Sequence, residues 1–324
     1  MLISCSSLMQ TLNHLSTRQQ PFLFAIDFDG WNGFVLTLDE AAKQGICFKI
    51  GDQRNYQERS GKRPTAFTFS PVNLKTYQKA FDKIQHHLKN GNTYLLNLTF
   101  QTPLQTDLSL EELFYSGMAP FKLFVPGKFV VFSPEPFVTI RDGMITSCPM
   151  KGTISADVPE AEKRLLADDK EFFEHNTIVD LIRNDLSMVS TGVKVDRFRY
   201  IERIHTNRGD LLQMSSEISG KLPADYRSRL GDILFTLLPA GSVTGAPKEK
   251  TVQIIREVEN YQRGFYTGIF GYFDGKTLVS AVSIRFIEEM PDGLVFKSGG
   301  GITALSDMQS EYDEMLKKIY VPVV

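Results

Sequence analysis

The spacing of apolar residues changes period several times along the chain. After Asn73, the residues Leu74, Tyr77, Phe81, Ile84 and Leu88 fall on one stripe at helical spacing, and Gly91 supplies a stop, which predicts a helix. A strand-like run over 94–101 follows. Ser109 and Glu112 form a capping box ahead of Leu113 and Phe114, so a short helix is expected there. Runs at 137–141 and 144–148 flank Asp142-Gly143, a two-residue hairpin signal, and the mixed charged and apolar residues over 159–189 predict helices. Residues 265–273, 278–287 and 294–298 are rich in aromatic and β-branched side chains, punctuated by Asp274-Gly275 and Asp292-Gly293. That pattern predicts an antiparallel meander, not the βαβ rhythm of a parallel sheet, and the expected class is α+β.

Composition narrows the function. In 324 residues, 36 basic and 38 acidic side chains leave a net charge of −2, which offers no footprint for a polyanion and argues against nucleic acid as the main partner. No apolar run approaches the ~20 residues that span a bilayer. Cys5, Cys47 and Cys148 are far apart and never form a C-x-x-C pair, so neither a disulfide framework nor a zinc knuckle is indicated, and a reducing cytoplasm is the expected setting. Leu2-Ile3-Ser4-Cys5 looks like a lipoprotein box, but Met1 alone precedes it, without basic or apolar leader regions. Repeats and low-complexity linkers are absent, so 1–324 is expected to form a single domain.

Several familiar motifs fail. Gly299-Gly300-Gly301 is not G-x-G-x-x-G, Gly245-Ala246-Pro247-Lys248 lacks the Ser or Thr of a phosphate loop, and Ser242 sits in Gly-Ser-Val-Thr-Gly instead of a nucleophile elbow. The five histidines include no HExxH.

Four constellations carry chemistry. The hairpin turn pairs Arg141 with Met144; continued, that ladder sets Glu135 opposite Met150, beside Lys151. An acid next to an amine is either a general acid with a nucleophile or an edge-strand ion pair. Glu174 shares a helical stripe with Ile178 and Leu181, so it needs a partner there: a metal, or a buried pair with Arg183 or another cation. Glu311, Glu314 and Lys318 occupy one helix face, read either as a solvated face with one Glu-Lys pair or as hard oxygen ligands for Mg²⁺. Tyr266, Arg285 and the bare backbone of Gly299, Gly300 and Gly301 suit an anion; a solvent-facing Arg and a flexible turn are the plain alternative.

Together with NTYLLNLT at 92–99, PMKGT at 149–153, IVDLIRNDL at 178–186, PAGSVTGAPK at 239–248, YTGIFGY at 266–272 and GGGI at 299–302, these segments resemble the chorismate-utilising enzymes, and within them the aminodeoxychorismate synthase component I branch. The resemblance implies antiparallel sheets packed as a sandwich with flanking helices, a motif-bearing core over 73–324 and a shortened N-terminal part over 1–72. It implies Mg²⁺ on Glu174, Glu311 and Glu314, a chorismate pocket of Ser242, Tyr266, Arg285, Gly299, Gly300, Gly301 and Lys318, Lys151 as nucleophile and Glu135 as proton donor. Lys151 discriminates within the family, because anthranilate synthases resemble Pro-Ile-Ala-Gly-Thr at that segment. Met150 and Asn176-Thr177 depart from the usual apolar residues. The short N-terminal part makes the tryptophan pocket of longer relatives doubtful. No G-x-C-x-G element surrounds any cysteine, so a separate glutamine amidotransferase is the implied ammonia source. Anthranilate or isochorismate synthesis, and a non-catalytic subunit that binds the amidotransferase, are the alternative readings.

Overall fold

All five residues of the strand Phe22–Ile26 are buried, Phe22, Phe24 and Ile26 in one apolar cluster and Leu23 and Ala25 in another, so both faces of this strand are covered. In the computed structural model, which describes residues 2–322 except 60 and 207–208, it belongs to a ten-stranded antiparallel sheet. In order, that sheet runs Ile3–Ser4, Asn32–Leu36, Phe22–Ile26, Ile269–Phe273, Leu278–Val282, Pro136–Arg141, Met144–Ser147, Gly209–Lys221 and Met150–Ser155, with Thr191–Thr206 also paired to Gly209–Lys221. A nine-stranded antiparallel sheet runs Gly245–Ala246, Leu95–Thr106, Gly293–Thr303, Phe286–Met290, Phe129–Ser133, Phe121–Val125, Cys47–Ile50 and Gln53–Arg54, and Phe67–Phe69 pairs with Leu95–Thr106.

The sheets pack face to face. Leu23, Ala25 and Phe34 of the first meet Phe48, Leu123, Val131 and Phe286 of the second in one core. The outer face of the first sheet is covered by the helices Cys5–Thr17, Asp169–Ser187 and Leu230–Leu237, through Leu8, Leu12, Ile178, Ile182, Ile233 and Leu234. The outer face of the second takes the helices Leu74–Lys89 and Lys248–Val258, whose Tyr77, Phe81, Ile84, Leu88, Ile254 and Ile255 lie on Leu96, Leu98 and Ile302. The class is α+β, as expected. The helix Leu74–Lys89 starts where Asn73 accepts from Thr76 N–H and stops before Gly91, at φ +71°; both halves of the Ser109/Glu112 capping box are present at the helix Leu110–Ser116.

Two expectations need correcting. The expected meander is divided between sheets: Leu278–Val282 belongs to the first, Phe286–Met290 to the second. Arg285, with φ +53°, ends the extended run between them, and so lies on no strand; Tyr266 likewise precedes its strand, Ile269–Phe273. The hairpin closes with Arg141 opposite Met144, but its ladder ends at Thr139 opposite Thr146, and Met150 pairs instead with Ser215. Pro149 has no N–H to continue the ladder.

The chain thus crosses between the sheets twice in the same place. Ser133-Pro134-Glu135 leads from Phe129–Ser133 into Pro136–Arg141, and Ser283-Ile284-Arg285 leads the other way. Val282 N–H donates to the Glu135 carbonyl at 3.1 Å and Phe132 N–H to the Arg285 carbonyl at 3.1 Å, which locks the two links together.

Candidate functional site

Beside these links is a cavity of about 250 Å³, and all twelve residues proposed from the sequence line it: Glu135, Lys151, Glu174, Ser242, Tyr266, Arg285, Gly299, Gly300, Gly301, Glu311, Glu314 and Lys318. Each is placed by its own element. Glu135 and Arg285 come from the crossings. Lys151 lies on Met150–Ser155 next to a bulge at Gly152, φ +70°, that shifts the register between Lys151 and Thr153. Glu174 projects from the helix Asp169–Ser187, and Glu311, Glu314 and Lys318 from the C-terminal helix Met308–Lys317 and its cap.

Lys151 Nζ lies 3.4 Å from Glu174 Oε2, so the cation that Glu174 meets is Lys151; Arg183 pairs with Asp180 at the surface instead. Burial pulls the Lys151 amine down, but Glu174, Glu135 and Glu171 outweigh it, and the amine stands above an ordinary lysine. Burial pushes the Glu135 carboxyl up, against the opposing hydrogen bond from Ser242 and the charges of Lys151, Arg285 and Lys318. Ser242 Oγ donates to Glu135 Oε1 at 2.5 Å. One cavity therefore holds a carboxyl biased toward its protonated form and an amine biased toward its charged one.

The Gly run is not a turn. It sits inside Gly293–Thr303, with Gly299 opposite Thr99 and Gly301 opposite Asn97. Lys318 Nζ donates to the Gly299 carbonyl at 3.0 Å, so the Gly299 backbone faces away from its ladder partner. Gly301 is two residues on and faces the same way, while Asn97 opposite sends its N–H to Thr244 O and accepts from Arg263 Nη2. Pairing with Phe286–Met290 ends at Phe286 opposite Lys297, so the N–H groups of Gly299 and Gly301 open onto the cavity. Arg285 Nε, Asn97 Oδ1 and Ser298 Oγ are buried polar atoms without a hydrogen-bond partner here, the signature of a site shaped for a polar ligand.

Glu311 is 2% exposed and accepts from Ser306 Oγ at 2.8 Å, which removes it from a solvated face; Glu314 is exposed and forms the expected i,i+4 pair with Lys318, at 2.8 Å. Glu174, Glu311 and Glu314 are hard oxygen donors of the kind Mg²⁺ takes, and they line one cavity from two helices. Among the described residues, however, no three His, Cys, Asp or Glu side chains stand together within ligand distance.

The sequence profile of the chorismate binding enzymes matches residues 7–323. The chain belongs to the chorismate-binding enzyme family. An uncharacterized PabA-like protein from Pasteurella multocida is 50% identical over 99% of this chain and 100% of its own length. The aminodeoxychorismate synthase component 1 of Salmonella typhimurium is 33% identical over 85% of this chain and 64% of its own. A putative 2,3-dihydroxybenzoate-specific isochorismate synthase from Bacillus anthracis superposes with a TM-score of 0.70 at 20% identity, covering 98% of this chain and 89% of that one, and shares the fold.

This chorismate-binding enzyme also brings residues to its site that the sequence did not single out: Asn97, Glu171, Gln213, Lys297 and Ser298. Asn97 lay inside the 92–99 motif, the one signal available for it. Gln213 carries no local signature, since its place comes from the pairing of Thr153 with Gln213. Among the described residues, no helix is long and apolar enough to cross a membrane.

Proposed function

We propose that this enzyme is a Mg²⁺-dependent aminodeoxychorismate synthase, which replaces the C4 hydroxyl of chorismate by an amino group on the way to 4-aminobenzoate and folate in the cytoplasm. The observation that supports the reading is Lys151, an amine that meets Glu174 and feels the charge of Glu135 in a cavity also lined by Arg285 and the glycine strand.

On this reading Arg285, Tyr266 and the Gly299 and Gly301 N–H groups take a chorismate carboxylate, with Ser242 and Lys318 at its edge. Neutral Lys151 Nζ bonds to C2 as the C4–O bond breaks, and Glu135 gives its proton to the departing hydroxide, which leaves as water. Ammonia then bonds to C4 and the C2–N bond breaks, returning Lys151 as the amine and leaving the product as its ammonium. The sum is chorismate, ammonia and one proton in, product ammonium and water out. Bound by Glu174, Glu311 and Glu314, Mg²⁺ would supply positive charge that holds the ring carboxylate and offsets the carboxylates now keeping Lys151 protonated. A separate glutamine amidotransferase is the proposed source of ammonia.

The test is to incubate the purified protein with chorismate, an ammonium salt and Mg²⁺ and identify the product by mass spectrometry. Aminodeoxychorismate, lost in Lys151→Ala, is expected. Anthranilate with pyruvate, or isochorismate, overturns the assignment, and Mg²⁺-independent turnover overturns the metal's part in it.

A further inference from the structure

Two of the sequence motifs carry residues that the site does not use, Asp185 of IVDLIRNDL and Lys248 of PAGSVTGAPK, and the fold joins them. Lys248 Nζ lies 2.8 Å from Asp185 Oδ1 and also donates to Leu237 O at 2.9 Å; the two side chains are 18% and 11% exposed. Asp185 lines a second, smaller cavity together with Ser147, Gly241, Leu186 and Leu237, and Glu135 and Ser242 form its wall toward the main cavity. Its volume, about 20 Å³, is that of one water molecule, and Glu135, Ser242, Ser147 and Asp185 surround it with more polar partners than a buried water needs.

We propose that Asp185, Lys248 and a water in this chamber return a proton to Glu135 after each turnover. The inference rests on Glu135 acting as the acid in the proposed reaction, which consumes one proton per cycle. Glu135 is faced by Lys151, Arg285 and Lys318 on the substrate side, none of which lines the chamber; Asp185 is faced by Lys248. The Lys248 ammonium passes its proton to Asp185, the Asp185 carboxyl passes one to the water, and the water passes one to the Glu135 carboxylate; Lys248 is then reprotonated from solvent. No bond to carbon changes and every relay group ends as it began. Burial biases both carboxyls upward, toward the protonated form that such a relay passes through.

Asp185→Asn blocks the relay at nearly constant shape, and Ser147→Val fills the chamber without touching the ion pair. With chorismate, ammonium and Mg²⁺, both variants are expected to run the first turnover at the wild-type rate, because Glu135 starts protonated, then to slow by about ten-fold or more in steady state, giving a burst of one product per active site with KM unchanged. Wild type is expected to show no burst. A Ser147→Val protein with wild-type steady-state turnover, or one whose first turnover is slowed equally, overturns the proposal, and it decides the matter even if Asp185→Asn fails to fold. Failure of the underlying reading looks different: the wild-type protein itself then makes no aminodeoxychorismate.

Discussion

Lys151 Nζ stands 3.4 Å from Glu174 Oε2, so the proposed nucleophile and a proposed metal ligand neutralise each other when neither substrate nor metal is bound. An ammonium competes with a divalent cation for the same carboxylate. Lys151→Met removes the competitor while keeping the length of the side chain. It is expected to abolish aminodeoxychorismate formation yet tighten Mg²⁺ binding severalfold, read by calorimetry with the wild type as reference. Unchanged or weaker Mg²⁺ binding would show that Glu174 is not a ligand.

Glu259 and Arg263 are an ion pair with side chains 2% exposed, 2.6 Å apart. Glu259 also accepts from the Thr99 N–H and hydroxyl, while Arg263 donates to Val243 O, Asn97 O and Thr267 Oγ. The pair therefore ties together the neighbours of Ser242, Tyr266 and the glycine strand. Removing one partner leaves a buried charge unpaired, which costs about 3–5 kcal/mol. Arg263→Leu should lower the urea midpoint accordingly with m unchanged, and a loss under about 1 kcal/mol would contradict the role given to the pair.

Most of this site was legible in the sequence through the order of its motifs, since a carboxylate on an apolar helix stripe, an amine before Gly-Thr and a triple glycine each also had a plain reading when taken alone. Glu174 announced a buried partner but not its identity, since Lys151 comes from a different element and the pairing depends on the bulge at Gly152. The crossings that carry Glu135 and Arg285 were hidden for a related reason. A run such as 278–287 looks like one strand by composition, and only the left-handed backbone at Arg285 divides it between sheets. Residues 1–72 had no assigned elements, yet supply strands to both sheets, Phe22–Ile26 among them, whose five buried residues show no alternation to read.

Lys122 offers a pH test away from the site. It is 5% exposed, donates to Phe114 O and Gly117 O at 2.8 Å each, and sits over the rings of Tyr56 and Phe114. Burial, with the nearby charge of Lys49, pulls its amine down to about 8 from the ordinary 10.5. Between those values the unfolded chain holds the proton and the folded one does not, so stability rises with pH across this window; below about 8 both states are protonated. Wild type should therefore gain on Lys122→Met between pH 8 and 10.5, by at most about 3 kcal/mol, in urea unfolding followed at several pH values. A stability difference that is flat with pH would refute the assignment.

The glycine strand separates a requirement of the fold from a requirement of the ligand. A Cβ at Gly299 would meet Leu98 O at 2.3 Å, which the ladder cannot absorb, whereas one at Gly300 would lie 3.6 Å from Lys318 Nζ and 3.7 Å from Glu311 Oε2, at ordinary contact. Gly299→Ala is thus expected to destabilise the protein by about 1–3 kcal/mol. Gly300→Ala should leave the melting temperature within about 2 °C of wild type, because it strains nothing. Its methyl group instead enters the cavity between Lys318 and Glu311, where chorismate and the metal are proposed to sit, and chorismate affinity measured by calorimetry in Mg²⁺ should fall about ten-fold or more. If Gly300→Ala binds chorismate as wild type does, the ligand lies elsewhere in the cavity and the carboxylate role of this strand is wrong.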